Sequence, residues 1–364
     1  MKRRVTKEIN VGSVKVGGGA PVTVQSMTNT DTCDVNATVA QIGALEGAGC
    51  EIVRVAVPTV AAADSLQAIR EAISIPLIAD IHFDYRLALK AIKAGVDCLR
   101  LNPGNIGSEE RIAEVVRGAG DAGIPVRIGV NAGSLEKDIL EKHGHATPEA
   151  MVESALRHIG ILERLGFYDI KVSLKASDVM KTVEAYRLLA GKIDYPFHIG
   201  ITEAGTLFSG TVKSSVGLGI LLADGLGDTL RVSLTGDPVE EVRAGWSILK
   251  ALNLRKRGIN IISCPTCGRI KLDAVKLATE IEERLSHIET PLNVAVMGCV
   301  VNGPGEAIES DIGIAGGDGV GLLYIKGKVA RKVGEGELAD TVVEEVERLA
   351  VERGCSKVRL KAEG

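Results

Sequence analysis

Three cysteines fall in two short segments of the last third of the chain, Ser263-Cys264-Pro265-Thr266-Cys267-Gly268 and Met297-Gly298-Cys299-Val300. Each segment follows an apolar run that reads as a strand. A C-x-x-C pair alone serves zinc, a redox disulfide or an iron–sulfur cluster. Structural zinc takes four closed ligands, and no second C-x-x-C is present. A cubane cluster held by three thiolates instead leaves one iron open to a weaker ligand or a substrate. Glu306 stands in the Gly/Pro-rich stretch after Cys299 and is expected to fill that role. The glycines there would let backbone N–H groups approach sulfur. The expected cofactor is therefore a [4Fe–4S] cluster on Cys264, Cys267, Cys299 and Glu306, with zinc or a disulfide as the alternatives. Cys33, Cys50, Cys98 and Cys355 have no companions and read as core fillers or bystanders.

A second set of residues sits where charge is unexpected. Val53-Arg54-Val55, Leu99-Arg100-Leu101, Val126-Arg127-Ile128, Ile170-Lys171-Val172 and Leu230-Arg231-Val232 each place a cation between apolar neighbours. Strands of a parallel sheet covered on both faces should be almost continuously hydrophobic, and an unpaired buried cation is costly. The strand-end acids visible in the sequence, Asp80 and Glu203, are too few to neutralise all five. A polyanionic ligand resolves the imbalance, and Arg suits bidentate phosphate binding. Polar residues also follow the strands: His82, Asn102, Asn131, Ser134, Ser173, Lys175, His198, Thr202 and Ser233. Asp80 and Glu203 are the candidate carboxylates for proton transfer, although each could simply pair with an Arg. His82 and His198 could equally be hydrogen-bonded core residues.

These side chains need a scaffold, and the chain supplies a recurring one. Strands are expected at Val22–Met27, Ile52–Val57, Pro76–Asp80, Cys98–Leu101, Pro125–Val130, Asp169–Leu174, Pro196–Ile201 and Thr229–Leu234. Amphipathic stretches with helix punctuation lie between them: Asn36, Asp64 or Ser65, Asp84, Thr147-Pro148 and Asp237-Pro238 as cap signals. Eight such units predict a (β/α)8 TIM barrel over residues 1–254. A doubly wound sheet is disfavoured, because no G-x-G-x-x-G follows the first strand. The first 20 residues read as a hairpin closing the barrel floor, and Gly17-Gly18-Gly19 as turn chemistry. Arg255-Lys256-Arg257 reads as a solvated junction. Residues 255–364 then predict a small α+β domain: strands Ile259–Ser263, Leu292–Val296, Asp311–Ile314 and Gly321–Ile325, with helices near Asp273–Leu285 and Leu338–Arg353.

Bulk composition agrees. The 364 residues are 45% hydrophobic, ample for two cores, with 43 glycines for tight turns. A net charge of −4 offers nothing to nucleic acid or anionic lipid as a whole. The basic start Met1-Lys2-Arg3-Arg4 precedes no apolar h-region, and no long apolar run predicts a membrane span. The expectation is a cytoplasmic protein.

Ile78–Phe83, Leu99–Asn105, Arg127–Asn131, His198–Gly205, the Cys264/Cys267 pair and Met297–Glu306 closely resemble the 4-hydroxy-3-methylbut-2-enyl diphosphate synthase family in its two-domain bacterial form. The resemblance implies 2-C-methyl-D-erythritol 2,4-cyclodiphosphate as substrate. It implies that two electrons open the ring and remove a hydroxyl as water. It assigns the diphosphate to Arg54, Arg100, Asn102, Arg127, Asn131, Ser173, Lys175, Arg231 and Ser233, and places Asp80, His82 and Glu203 near the reacting carbons, with His198 and Thr202 in the same pocket. It implies a cluster domain like that of sulfite reductases, flavodoxin or ferredoxin as electron donor, and a homodimer in which one subunit's cluster caps its partner's barrel. The residues by themselves leave two other readings: a pterin-binding barrel with structural zinc, and an iron–sulfur sensor that binds a phosphometabolite.

Overall fold

The computed structural model describes residues 2–265 and 267–354. Cys355 lies outside the described residues, as does Thr266 of the C-x-x-C segment. The chain divides into two compact units, Met1–Arg255 and Lys256–Gly364.

The first unit begins with an antiparallel hairpin, β1 (Ile9–Val11) and β2 (Val14–Val16). Eight parallel strands follow: β3 (Thr23–Met27), β4 (Ile52–Ala56), β5 (Leu77–Asp80), β6 (Cys98–Leu101), β7 (Val126–Asn131), β8 (Ile170–Lys175), β9 (His198–Ile199) and β10 (Thr229–Leu230). They are ordered β8-β7-β6-β5-β4-β3-β10-β9, and a parallel bridge from Val172 to Phe197 joins the two ends into a ring. The TIM barrel anticipated from the eight β-branched runs is present. Ile9, Val11 and Val16 of the hairpin pack on Ile52, Ile78 and Cys98, sealing one end.

The last two strands are shorter than their sequence suggests. Arg231 N–H still donates to Ile199 O, at 3.0 Å. Leu234 N–H, however, donates to the Glu241 carboxylate instead of a neighbouring strand. Two helix starts also differ from expectation. Asp34, not Asn36, caps Val35–Gly47, and Thr59, not Asp64 or Ser65, caps Val60–Ala72. In both cases the side chain that accepts an early helical N–H lies just ahead of the apolar period. Asp84, Thr147 and Asp237 cap as expected.

The second unit is a five-stranded mixed sheet: β11 (Ile259–Ser263), β12 (Leu292–Met297), β13 (Ile312–Gly316), β14 (Val320–Ile325) and β15 (Lys328–Gly334), in that order. β15 escapes the sequence reading because its residues are mostly exposed and three of the seven are charged, as suits an edge strand. Helices Ala274–Arg284 and Leu338–Glu352 cover one apolar core with β12 and β13. Gly303–Glu309, which reads as a loop, is a short helix whose Ala307 packs on Ala315 and Tyr324. The basic junction is not freely solvated. Arg255 donates to Val22 O, pairs with Glu51 at 2.6 Å and lies over the Trp246 ring. Among the described residues, no helix is long and apolar enough to cross a membrane.

Candidate active site

Strand register turns the unexpected cations into a single lining. Asp80 pairs with Arg100, Arg100 with Arg127, and Arg127 with Lys171 across β5 to β8, so these four side chains share one row. Side chains alternate along a strand, so Gly129 and Ser173, then Asn131 and Lys175, extend the same face. The intervening residues, among them Val126, Ile128, Val130, Ile170, Val172 and Leu174, belong to the core shared with the surrounding helices. The apolar face of each strand therefore meets the helices, and the charged face lines the barrel interior.

Asp80 organises that interior. Its Oδ1 is 3.0 Å from Arg100 Nη1, and its Oδ2 is 3.5 Å from Arg54 Nε. Burial alone would raise its pKa, but Arg54, Arg100 and Arg127 outweigh that and hold it at about 2. Asp80 is thus a fixed anion. His82 Nε2 lies 3.0 Å from Arg100 Nη1, and partial burial depresses its pKa. Arg54 Nε and Nη2 also lie against the Met27 thioether, at 3.2 and 2.9 Å. Burial, with Arg231 and Arg100 nearby, pulls Arg54 down to about 10 despite Asp80.

Arg231 is held by a carboxylate that strand-end inspection misses. Its Nε and Nη2 reach Glu241 Oε2 and Oε1 at 3.0 and 3.1 Å, and Ser26 Oγ donates to the same group. Glu241 lies on helix Pro238–Ala251 and is 3% exposed. Glu203, in contrast, is exposed and pairs with no cation among the described residues. Its φ of 52° is a left-handed conformation that costs a non-glycine residue strain, in the loop after β9.

Among the described residues, Arg127 and Lys175, like Lys171 beside them, pair with no acid. Arg127 is 1% exposed, and its Nε and Nη1 have no hydrogen-bond partner among the described residues. Burial, with neighbouring cations, depresses both pKa values strongly. The Asn102 Oδ1 and the His198 Nε2 are likewise buried without partners. His198 Nδ1 contacts Thr229 Oγ1 at 2.8 Å, and burial beside Lys175 and Arg127 keeps the imidazole neutral. Ser173 Oγ donates to Ile128 O, whereas Asn131, Thr202 and Ser233 are half-buried near the strand ends.

Two glycines make room for these cations, and neither was singled out from sequence. A Cβ on Gly129 would lie 2.5 Å from Arg100 Nε, and one on Gly200 would lie 2.7 Å from Lys175 Nζ.

In the second unit, β11 and β12 run parallel with Ser263 opposite Val296. Cys264 and Cys299 therefore emerge from the same end of neighbouring strands. Gly298 N–H donates to Cys264 Sγ at 3.3 Å. Cys267 is exposed, and the backbone and side chain of Arg269 lower its pKa. Glu306 is exposed in the first turn of Gly303–Glu309. Among the described residues, no three His, Cys, Asp or Glu side chains already converge closely enough to hold a metal ion. The donor set nonetheless fits an iron–sulfur cluster: thiols at paired strand ends, with a backbone N–H already directed at sulfur. Cys50 and Cys98 are buried, and burial raises both thiols, Cys50 to about 12. Cys33 is exposed.

A closed ring of eight parallel strands with cations clustered on its inner face, followed by a unit with cysteines at strand ends, defines a two-unit TIM-barrel protein. Residues 6–246 match the GcpE TIM-barrel domain and residues 260–348 the GcpE protein C-terminal domain, and the chain belongs to the GcpE family. It is 65% identical over 348 residues to the 4-hydroxy-3-methylbut-2-en-1-yl diphosphate synthase (flavodoxin) of Geobacter sulfurreducens, covering 96% of this chain and 99% of that protein. It is 60% identical to the protein of the same name from Symbiobacterium thermophilum, covering 97% and 95%. The dihydropteroate synthase structure from Yersinia pestis aligns at a TM-score of 0.48 and 11% identity, covering 68% of this chain and 99% of that one.

Proposed function

We infer that this chain is a 4-hydroxy-3-methylbut-2-en-1-yl diphosphate synthase, which reductively opens 2-C-methyl-D-erythritol 2,4-cyclodiphosphate and eliminates one hydroxyl as water. The observation that carries the reading is the charge balance inside the barrel. Arg54, Arg100, Arg127, Lys171, Lys175 and Arg231 face two buried carboxylates, Asp80 and Glu241. A diphosphate supplies the missing negative charge, and full-length relatives of the same name support that ligand over a pterin.

In this reading Arg127 and Lys175, which pair with no acid among the described residues, bind the diphosphate directly, with Asn102, Asn131, Ser173 and Ser233 adding neutral hydrogen bonds. Arg54, Arg100 and Arg231 are pre-oriented by Asp80 and Glu241, so less rotamer freedom is lost on binding. His198 and Thr202 border the same space. Asp80 stays ionised at every working pH and acts electrostatically, leaving Glu203 and His82 as the groups able to move protons near the reacting carbons. Cys264, Cys267, Cys299 and Glu306 would hold a [4Fe–4S] cluster, which supplies single low-potential electrons when bound. The relatives' names indicate flavodoxin as the electron donor. A cytoplasmic homodimer completes the proposal.

The test is oxygen-free purification with iron and acid-labile sulfide analysis, then turnover of the cyclodiphosphate with dithionite and a viologen. Stoichiometric sulfide and product formation are expected. Absence of sulfide, or indifference to the cyclodiphosphate, overturns the assignment.

A further inference from the structure

Outside the charged lining, one buried histidine connects two loops of the barrel mouth. His158 lies on helix Pro148–Arg164 and is 1% exposed. Its Nδ1 accepts a hydrogen bond from Gly104 N–H at 3.2 Å, in the loop after β6. That acceptor role puts the ring proton on Nε2. Nε2 lies 2.7 Å from Glu136 Oε1, in the loop after β7, although somewhat off the ideal hydrogen-bond direction. Ser154, one helical turn before His158, donates to Glu136 Oε2 at 2.8 Å.

The two loops held in this way carry proposed diphosphate contacts. Asn102 immediately precedes the Pro103–Ile106 turn that contains Gly104, and Asn131 opens the Ala132–Ser134 turn that leads to Glu136. We propose that His158 is a positioning residue, which ties these loops together and thereby sets the affinity of the barrel for its diphosphate. The proposal rests on the substrate reading above and assigns a role to a residue that does not touch the ligand.

Two observations separate this from a histidine that merely fills the core. The helix already has its own apolar anchorage, since Ala150, Met151, Ala155, Ile159 and Leu162 belong to the barrel core. The imidazole is not needed to dock it, and both its polar partners are in loops. The close approach is also built into the loop, because a Cβ on Gly104 would lie 2.5 Å from His158 Cε1. Ser154 donates to Glu136, and that bond together with the adjacent His158 Nε2 outweighs burial to hold the carboxylate ionised, at about 2.

The test uses the full-length, cluster-loaded protein and three variants. In His158→Asn the side-chain oxygen can take the place of Nδ1 and keep the Gly104 bond. In His158→Gln the amide can take the place of Nε2 and keep the Glu136 contact. His158→Phe keeps neither. Hydrogen–deuterium exchange is measured over residues 100–108 and 131–140, together with KM and kcat for the cyclodiphosphate. His158→Phe is expected to speed exchange in both segments and to raise KM about tenfold with kcat nearly unchanged, as when uniform binding is lost. His158→Asn should restore protection only in the first segment, and His158→Gln only in the second. If the Phe variant does not fold, that split between Asn and Gln decides. Unchanged exchange in both segments, or an unaltered KM, overturns the tether. A wild-type protein that ignores the cyclodiphosphate overturns the substrate reading instead, and the exchange data still report on the tether.

Discussion

Asp80 and Arg100 stand side by side on adjacent parallel strands, with carboxylate and guanidinium 3.0 Å apart in the barrel interior. Arg54 approaches the same carboxylate from the other neighbouring strand. One acid thus holds two cations, and the lining depends on it. Asp80→Asn removes that counter-charge while the cations stay buried. Breaking a buried pair from one side costs about 3–5 kcal/mol. A drop of this size in the denaturant-derived unfolding free energy is expected, and an unchanged midpoint would show that Asp80 does not hold the lining.

The same carboxylate makes acid stability pH-dependent. Its pKa is about 2 in the folded chain against an ordinary 3.8. A depressed acid contributes stability that is complete above its unfolded value and is lost as pH falls through the folded one. The difference corresponds to about 2 kcal/mol. Wild-type stability should therefore fall between about pH 4 and 2 more steeply than that of Asp80→Asn.

Lys171 gives the opposite sign at the other end of the scale. It is fully buried, its Nζ has no partner among the described residues, and burial lowers its pKa from 10.5 to about 8. A base depressed by burial weakens the fold wherever it must stay charged, so the penalty is full below about pH 8 and fades by about pH 10.5. Lys171→Met is expected to stabilise the protein at neutral pH by on the order of 3 kcal/mol, with the gain vanishing at high pH. A destabilised variant at pH 7 would mean that Lys171 has a counter-charge in solution.

Gly129→Ala tests the space reserved for Arg100. The added methyl would sit 2.5 Å from Nε, so the guanidinium must move. The contact is with the end of a flexible side chain, and the barrel should still fold. Diphosphate affinity, measured by calorimetry, is expected to fall about tenfold or more, as when a charged hydrogen bond worth about 1.5–3 kcal/mol is lost. Unchanged affinity would remove Arg100 from the phosphate site.

Much of this was legible because charge interrupts an otherwise apolar period. A cation between two apolar residues marks the inner face of a barrel strand, and Arg54, Arg100, Arg127, Lys171 and Arg231 all obey that rule. Glu241 follows it too, in helical form. It falls on the buried face with Pro238, Val242, Gly245 and Leu249, but beside Glu240 it resembles an ordinary first-turn acid. Glu203 shows the converse, since an acid after a strand does not reveal which way its loop turns. Gly129 and Gly200 are silent in sequence because their role is space for neighbouring atoms, the Arg100 guanidinium at one and the Arg231 carbonyl and Lys175 Nζ at the other. His158 is equally silent, because its partners are loop atoms 54 and 22 residues away.

Cys299→Ser addresses the second unit. Cys299 follows β12 as Cys264 follows β11, and the two strands are hydrogen-bonded neighbours. Removing Cys299 leaves two thiols in the proposed set, and a serine hydroxyl is a poor replacement for a soft thiolate ligand. Loss of acid-labile sulfide and of the cluster's visible absorbance is expected. The barrel core runs from Val22 to Leu249 and shares no residue with the core of the second unit. The phosphate-facing cations all lie in the first unit, so cyclodiphosphate binding, followed by calorimetry, should persist in the variant. Full sulfide content in the variant would take Cys299 out of the ligand set. Loss of both sulfide and binding would show that the barrel's ligand also depends on the cluster.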